Sequence, residues 1–530
     1  MIFTLHRYLF REQLRVFVLT TIALSMMLSM GLMLRPIQDY GVAPSQTLRL
    51  LGYFLPITLV FVLPMSALFA GALIYGRFAF ENELDACRAS GISVMTVILP
   101  GLFLSLLISI ATLVLSFYVA PNFVHRAERA VKANAKQILF RNLQRKGFYD
   151  IEGRWIVYAD RADPAHDMIY GVIIVEVYHD RVRKFITAES AKILIDSKSQ
   201  FNEITVVASQ TRQIDEFAQF DSGQLSFTGR FPPLLADNVK FQTIDQIKRI
   251  RANPLEFYPT RTMALKVRTQ LAGELLGSAI LQKMNKPEDY FELVGEDRIV
   301  LMSVHAVTPA DKDIGKLLFD GPIRLLELDP DRQNLTCQWD CQSGYLYFDG
   351  DSINAPMDLV LDSPSWDRGG GVKGIAGKHV IKNLRLPDSI ESQLTEDRLL
   401  SQIDQIPTLL QKPKPTRQLL QLRNQLRLFI AKTTNQIRSE VHSKLVLGLG
   451  CTTLILTGIA LGIRFRGGHL LSAFGASSIP AAALIICILA GKDMAKNPAA
   501  SVETGLLIMW CGLLALTILA LVLYRKLTRT

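Results

Sequence analysis

ENELDACRASGIS, residues 81–93, interrupts an oily part of the chain. It holds three acids and one arginine, so it does not lie in hydrocarbon. Yet a long apolar run ends just before it and another begins just after. Wound as a helix at about 100° per residue, Leu84, Cys87 and Gly91 fall on one narrow apolar face. Glu81, Asp85 and Arg88 gather on a second face. Glu83 stands apart, with the small Ala86 and Ser90 beside it. A carboxylate among small neighbours protrudes and is open to a partner. The segment reads as a short helix on a membrane surface that offers one acid. A solvated loop helix without a partner is the plainer alternative.

Working outward, six runs are long enough to cross about 30 Å of hydrocarbon as helices. They are 16–34, 50–75, 92–120, 445–463, 470–491 and 503–524. The first has no small-residue cleavage site after it and reads as an anchor, not a removable signal. Pro56, Pro64, Pro100 and Pro480 fall inside spans, where neighbouring helices satisfy the freed carbonyls. The whole chain has 530 residues, 49% of them hydrophobic, and a mean hydropathy of +0.24. That is too oily for an ordinary soluble protein and too polar for a helix bundle alone, so several domains are expected.

Basic residues in the short loops give the orientation. Arg7, Arg11, Arg15, Arg77, Arg88, Arg464, Arg466, Arg525, Lys526 and Arg529 fall on one side. Only Arg35, Arg49, Lys492 and Lys496 fall on the other. Both termini and the 76–91 loop are therefore expected in the cytoplasm, and 121–443 outside. The net charge of +10 follows this membrane pattern, so no nucleic-acid partner is expected. Arg7, Arg11 and Arg15 recur every four residues, a stripe suited to anionic headgroups.

The outer region reads as layers. Residues 122–146 are basic and helical. RWIVYADRAD, MIYGVIIVEVY, KFITAESAKILID, EITVVASQTRQI and GQLSFTGRF alternate and are separated by turn residues, as in an antiparallel sandwich or barrel. Residues 254–395 are partly β, with PDRQNLTCQWD and GYLYFDGDSI as further strand and WDRGGGVKGIAGKH as loop. Residues 396–443 return as helix toward the fourth span, after a break at 411–417. Cys337 and Cys341 are the one close cysteine pair. No second pair or histidine cluster stands near, so zinc is not expected. A local disulfide stays open if this region faces an oxidising compartment.

The pattern acid–x–Glu–Leu–x–Ala–x–Arg–Ala–Ser–Gly–Ile–Ser of 81–93 resembles the coupling helix of the LptF/LptG (YjgP/YjgQ) permease family, the membrane subunits of the lipopolysaccharide-export ABC transporter. RYLFREQLRVFVLT, YVAPNFVHRAERAV, GFYDIEGRWIVYADRAD and RSEVHSKLVLGLGCTTLILTGIALGIRFRGG are similar to further parts of that family. The likeness covers about 1–250 and 395–530, and 254–390 is left as an insertion. It implies an α-helical membrane bundle of six transmembrane helices, 3+3, with a large periplasmic β-jellyroll-like domain between helices three and four. The expected domains are 1–120, 121–253 (jellyroll-like), 254–395 (inserted), 396–443 (helical return) and 444–530.

The resemblance also implies partners. These are a cytoplasmic ABC ATPase dimer docked on 81–93, a second permease subunit (related or identical), a periplasmic LptC-like bridge, and lipopolysaccharide or a similar bulky lipid. Carried over by motif, the ATPase-coupling residues are Glu83, Leu84, Asp85, Arg88 and Gly91, with Glu83 as the contact. Basic residues at the outer ends of the first two spans meet lipid phosphate in the family, which makes Arg35 and Arg49 candidates; interfacial anchoring is the alternative. Gly458-x-x-x-Gly462 and the small residues Ser472, Gly475, Ser477, Ser478, Pro480 and Ala481 suit either a lateral gate between paired permeases or plain tight packing, with packing favoured for the two glycines.

No catalysis is expected in this chain. A phosphate loop ending in Gly377-Lys378 needs glycine at 372 and serine or threonine at 379, where Val372 and His379 stand. No nucleophile-elbow, zincin or kinase pattern appears. No cofactor is expected either; ATP would be bound by the partner. Two other classes fit less well. A membrane-anchored periplasmic binding or sensor protein needs a cytoplasmic signalling module, and no inner stretch is long enough. A membrane-embedded enzyme needs paired ionisable residues within the spans, which are nearly free of them.

Overall fold

The structure is a computed structural model. It describes the chain apart from residues 1, 41–43, 134, 152–154, 179–180, 197–202, 216–218, 231–237, 285–288, 296–297, 312, 330–334, 349–355, 369–372, 396–399, 402–404, 407–414, 466–469, 498–500 and 530. Two compact units emerge, one formed by Met1–Lys248 with Lys432–Thr530, the other by Arg249–Ala431.

In the first unit α1 (Ile2–Tyr40), α2 (Pro44–Phe80) and the short α3 (Glu83–Ala89) are followed by α4 (Val94–Val114). A π-helical turn, Leu115–Val119, carries α4 into α5 (Ala120–Ala133), and α6 (Ala135–Lys146) follows. The last helices of the chain are α10 (Arg417–Arg464), α11 (Leu470–Lys496) and α12 (Val502–Arg529), and α10 begins within the second unit. Six described helical stretches are long and apolar enough to cross a membrane: Phe3–Gly31, Leu51–Phe80, Val94–Ala127, Arg417–Arg464, Ser478–Lys496 and Val502–Leu527. Small residues let them approach. A Cβ on Gly462 would lie 2.5 Å from the Ala72 carbonyl oxygen, and one on Gly458 would lie 2.8 Å from Leu68 Cδ1. The pair therefore seats α10 against α2, which is the packing role.

Between these helices lies one antiparallel sheet of six strands. They are β1 (Phe148–Ile151), β2 (Trp155–Asp163), β3 (Met168–Tyr178), β4 (Arg181–Asp196), β5 (Glu203–Asp215) and β6 (Gln219–Arg230). Each pairs with its sequence neighbours, order β1-β2-β3-β4-β5-β6. That is a meander, whereas a jellyroll would carry strands across between two sheets. Its ladder is interrupted along one line. Pairing is skipped at Asp160/Gly171, Glu189/Gly171, Glu189/Gln210 and Gln210/Gly223, a line running across β2 to β6. Gly171 and Gln210 take positive φ there, 59° and 52°. The buried face changes phase at this line, from Ile186 and Ala188 to Ala191 and Ile193 on β4. Those residues pack with Leu139, Phe140 and Leu143 of α6 and Phe54 and Ile57 of α2.

The second unit starts at the end of α7 (Ile244–Ala252) and is built on α8 (Tyr258–Lys283). Around it run β7 (Phe291–Val294), β8 (Ile299–Pro309), β9 (Leu317–Leu328), β10 (Leu335–Phe348), β11 (Met357–Asp362), β12 (Ser365–Asp367), β13 (Lys373–Ile375) and β14 (Lys378–Leu384), with the short α9 (Asp388–Glu391) after them. All pairings are antiparallel, in the order β13-β12-β10-β9-β8-β7, with β11 bridging β10 to β14. Arg385, just past β14, donates its N–H to the Val294 carbonyl of β7 at 2.8 Å, so the ends of the ladder meet. Ala264, Val267, Leu271, Leu276 and Ile280 of α8 share one core with Val300, Met302, Leu317, Phe319 and Leu325 of the strands. Leu419 and Leu426, from the first turns of α10, close the same core. The sequence reading of 254–395 as partly β missed α8 altogether, and the stretch read as loop contributes strands on both sides of its undescribed glycines.

Cys337 and Cys341 are both free and buried. They sit four residues apart on one strand, about 13 Å at the strand rise, too far for a bridge. Burial pushes the Cys341 thiol up to about 11, which suits a small packing residue and not a reactive one.

Candidate functional site

The junction between α2 and α4 holds the segment on which the sequence reading turned. α2 ends at Phe80, and Glu81 keeps its N–H on the Arg77 carbonyl while its carboxylate pairs with the Arg77 guanidinium at 3.7 Å. Asn82 then takes a left-handed conformation, φ 57°, and redirects the chain into α3. Asparagine tolerates that region better than most residues. The helix therefore spans only Glu83–Ala89, shorter than the expected 81–93.

It ends on Gly91. The Gly91 N–H bonds the Arg88 carbonyl at 2.9 Å and the Ile92 N–H bonds the Cys87 carbonyl at 3.0 Å, with Gly91 at φ +79°. These two bonds around a left-handed glycine are a Schellman stop. Gly91 thus lies beyond the helix and is not part of its apolar face, because a wheel drawn through 93 assumes a helix that has already ended. Ser93 starts α4 by accepting the Thr96 N–H at 3.2 Å.

Leu84 anchors α3. It is buried in one cluster with Tyr75 and Phe78 of α2, Val94, Val97 and Ile98 of α4, and Tyr524 and Leu527 of α12. Glu83 is exposed, with exposed Ala86 and Ser90 on its side. Its carboxylate makes no hydrogen bond or ion pair among the described residues. Arg88 behaves differently. It pairs with Asp85 at 3.9 Å and donates from Nη2 to the Leu527 carbonyl at 3.2 Å. Both residues are half-buried. The five motif residues therefore divide: Leu84 inward, Glu83 outward, Asp85 and Arg88 partly engaged within the chain, Gly91 a backbone stop.

Two tyrosines brace the helices above this junction, and sequence reasoning passed over both. Tyr75 donates to the Val97 carbonyl at 3.1 Å and accepts the Gly101 N–H at 3.2 Å, joining α2 to α4. Tyr524 donates to the Leu456 carbonyl at 2.9 Å, joining α12 to α10. A tyrosine within an apolar run was the available signal, since a buried hydroxyl needs a partner. Arg7, Arg11 and Arg15 are all exposed on α1, and Arg15 also pairs with Glu12 at 3.2 Å. The side chains of Arg35 and Arg49, and those of Ser472 and Ser477, lie outside the described residues.

Six apolar helices, a β-rich segment between them and a short surface helix define a multi-pass membrane protein. No protein with a curated description matches the chain. The family model described as lipopolysaccharide export system permease LptF/LptG matches residues 7–267 and 379–526. The chain belongs to that family, whose members are transporter components of lipopolysaccharide export. The model passes over 268–378, from the middle of α8 to the start of β14.

Proposed function

We propose that this chain is a non-catalytic permease subunit of an ABC transporter that extracts lipopolysaccharide, or a similarly bulky lipid, from the inner membrane. Force comes from a separate cytoplasmic ATPase dimer, which binds the ATP and docks on α3. Both termini lie in the cytoplasm, three spans precede and three follow the β-rich part, and that part lies in the periplasm. There it hands lipid to an LptC-like bridge. A second permease, related or identical, completes the membrane pathway, with Arg35 and Arg49 meeting the lipid phosphates.

The observation that carries this reading is the contrast within α3. Leu84 is sunk among residues of three long helices, while the adjacent Glu83 is exposed and unpaired among the described residues. A helix gripped from behind and bare in front transmits a push from whatever holds its front. Such a switch needs two arrangements that the bound nucleotide favours unequally. The test is purification of the detergent-solubilised chain from its own cells. The wild type is expected to bring an ATPase with it, and Glu83→Ala to lose it. An ATPase held equally by both would overturn the docking role of Glu83, and no ATPase with either would favour a binding protein over a transporter.

A further inference from the structure

We infer that Arg88 is a positioning residue that ties α3 to the last turn of α12, so that a push on α3 reaches α12 directly and not through α2 and α4 alone. The inference rests on α3 being the docking helix, and it moves Arg88 from the docking surface to the transmission behind it.

The carbonyls of a helix's last turn have no partner within the helix, and that end carries partial negative charge. Leu527 is in the last turn of α12, and its carbonyl receives the Arg88 guanidinium from 439 positions away in sequence. Asp85, one turn back on α3, approaches the same guanidinium at 3.9 Å and holds it in place. A planar guanidinium serves two acceptors at once; an ammonium is a less directional substitute. The apolar side of the contact agrees, because Leu84, Tyr524 and Leu527 share one cluster.

What surrounds the contact makes it the bridge. Between the start of α4 and the end of α12 lies a groove of about 310 Å³, walled by Arg88, Ser93, Met95 and Leu527 among others. Across that gap the Arg88 bond joins α3 to the α12 backbone. From Leu527 the connection continues one turn back to Tyr524, whose hydroxyl holds the Leu456 carbonyl of α10. On the other side α3 runs by sequence into α2 and α4, which Tyr75 locks together. A displacement of α3 therefore has two exits, one into the helices it is spliced between and one into the pair that ends the chain.

The experiment has two arms. In the first, amide hydrogen exchange is followed in the purified chain alone over residues 521–530. Arg88→Ala is expected to speed exchange there by about threefold to tenfold, since one carbonyl loses its cap, with exchange in the second unit unchanged. In the second, the permease and its ATPase are reconstituted in liposomes containing lipopolysaccharide. Arg88→Ala is expected to keep the ATPase bound and hydrolysing while lipid extracted per ATP falls about tenfold, and Arg88→Lys to regain at least half. Unchanged exchange in the first arm overturns the tie. Loss of the ATPase with Arg88→Ala makes Arg88 a docking residue and equally overturns it, as does unchanged lipid per ATP. Failure of the docking reading itself shows elsewhere, as an ATPase retained by Glu83→Ala while the first arm still reports the tie.

Discussion

Glu327 on β9 is a carboxylate sunk in the second unit, with Arg298 at 3.6 Å and His379 at 3.4 Å. The His379 ring stacks on Trp339 at 3.7 Å between centroids. Burial alone would push the Glu327 carboxyl up, but the hydrogen bond and charge of His379 and the charge of Arg298 outweigh it and hold the group below its ordinary value. A carboxyl lowered on folding contributes stability that is present above its unfolded value, about 4.3, and is lost as pH falls through the lower folded value. The second unit is expected to lose thermal stability as pH drops below about 4, and Glu327→Gln to flatten that limb. Trp339 and Trp366 both lie in this unit, so fluorescence after Trp155→Phe and Trp510→Phe reports it alone. The same acid limb in the Gln variant would assign the effect to other carboxyls. Residues of this kind show how far sequence reaches at this scale. Glu83 out and Leu84 in follow from helical period alone. The stop at Gly91 and the Arg88–Leu527 bond do not, since one depends on where the helix ends and the other on a backbone atom at the far end of the chain.

Among the elements, contact between helices is set by what fills the crossing. Gly462→Ala places a Cβ 2.5 Å from the Ala72 oxygen and 3.1 Å from the Gly76 nitrogen. Both are backbone atoms, so relief requires α2 and α10 to separate. Overpacking of this kind costs about 1–3 kcal/mol. Gly475 on α11 has nothing within 4 Å of the corresponding position. In detergent, Gly462→Ala is expected to lower the thermal midpoint and Gly475→Ala to leave it unmoved; equal effects would remove the close crossing as the cause. The six spans and six of the strands, β2 to β6 and β10, were legible because hydropathy and period-two alternation report burial directly. α8 was not. Thirteen of its residues are buried on all sides, so it has no polar face to give a helical period. Several of its polar residues are buried and satisfied inside. Glu274 accepts from Thr416 and from Gln270, whose own oxygen takes the Gly315 N–H, and Arg268 donates to the Leu394 carbonyl. The phase change across β4 and β5 was likewise hidden, because strict alternation was the template.

For the whole molecule, the unit boundary and the family boundary disagree, and the disagreement is informative. The compact unit is Arg249–Ala431, while the family model passes over only 268–378. The first half of α8, β14 and the start of α10 are thus family residues that share a core with strands the model lacks. The added residues are built into this unit's core and not hung on its surface. Which side of the membrane this unit occupies decides whether a push at α3 crosses the bilayer to act. The loop-charge asymmetry leads us to expect α3 inside and 121–443, which contains this unit, outside. With serine replacing Cys87, Cys487 and Cys511, the three cysteines that are not buried, single reporters are introduced as Ala89→Cys and Gln342→Cys, both at exposed positions. A membrane-impermeant maleimide added to cells with a permeabilised outer membrane is expected to label the cysteine at 342. It is expected to reach the one at 89 only after the inner membrane is broken. Labelling of both before the inner membrane is broken would put lever and load on one face, and no force could then be carried across.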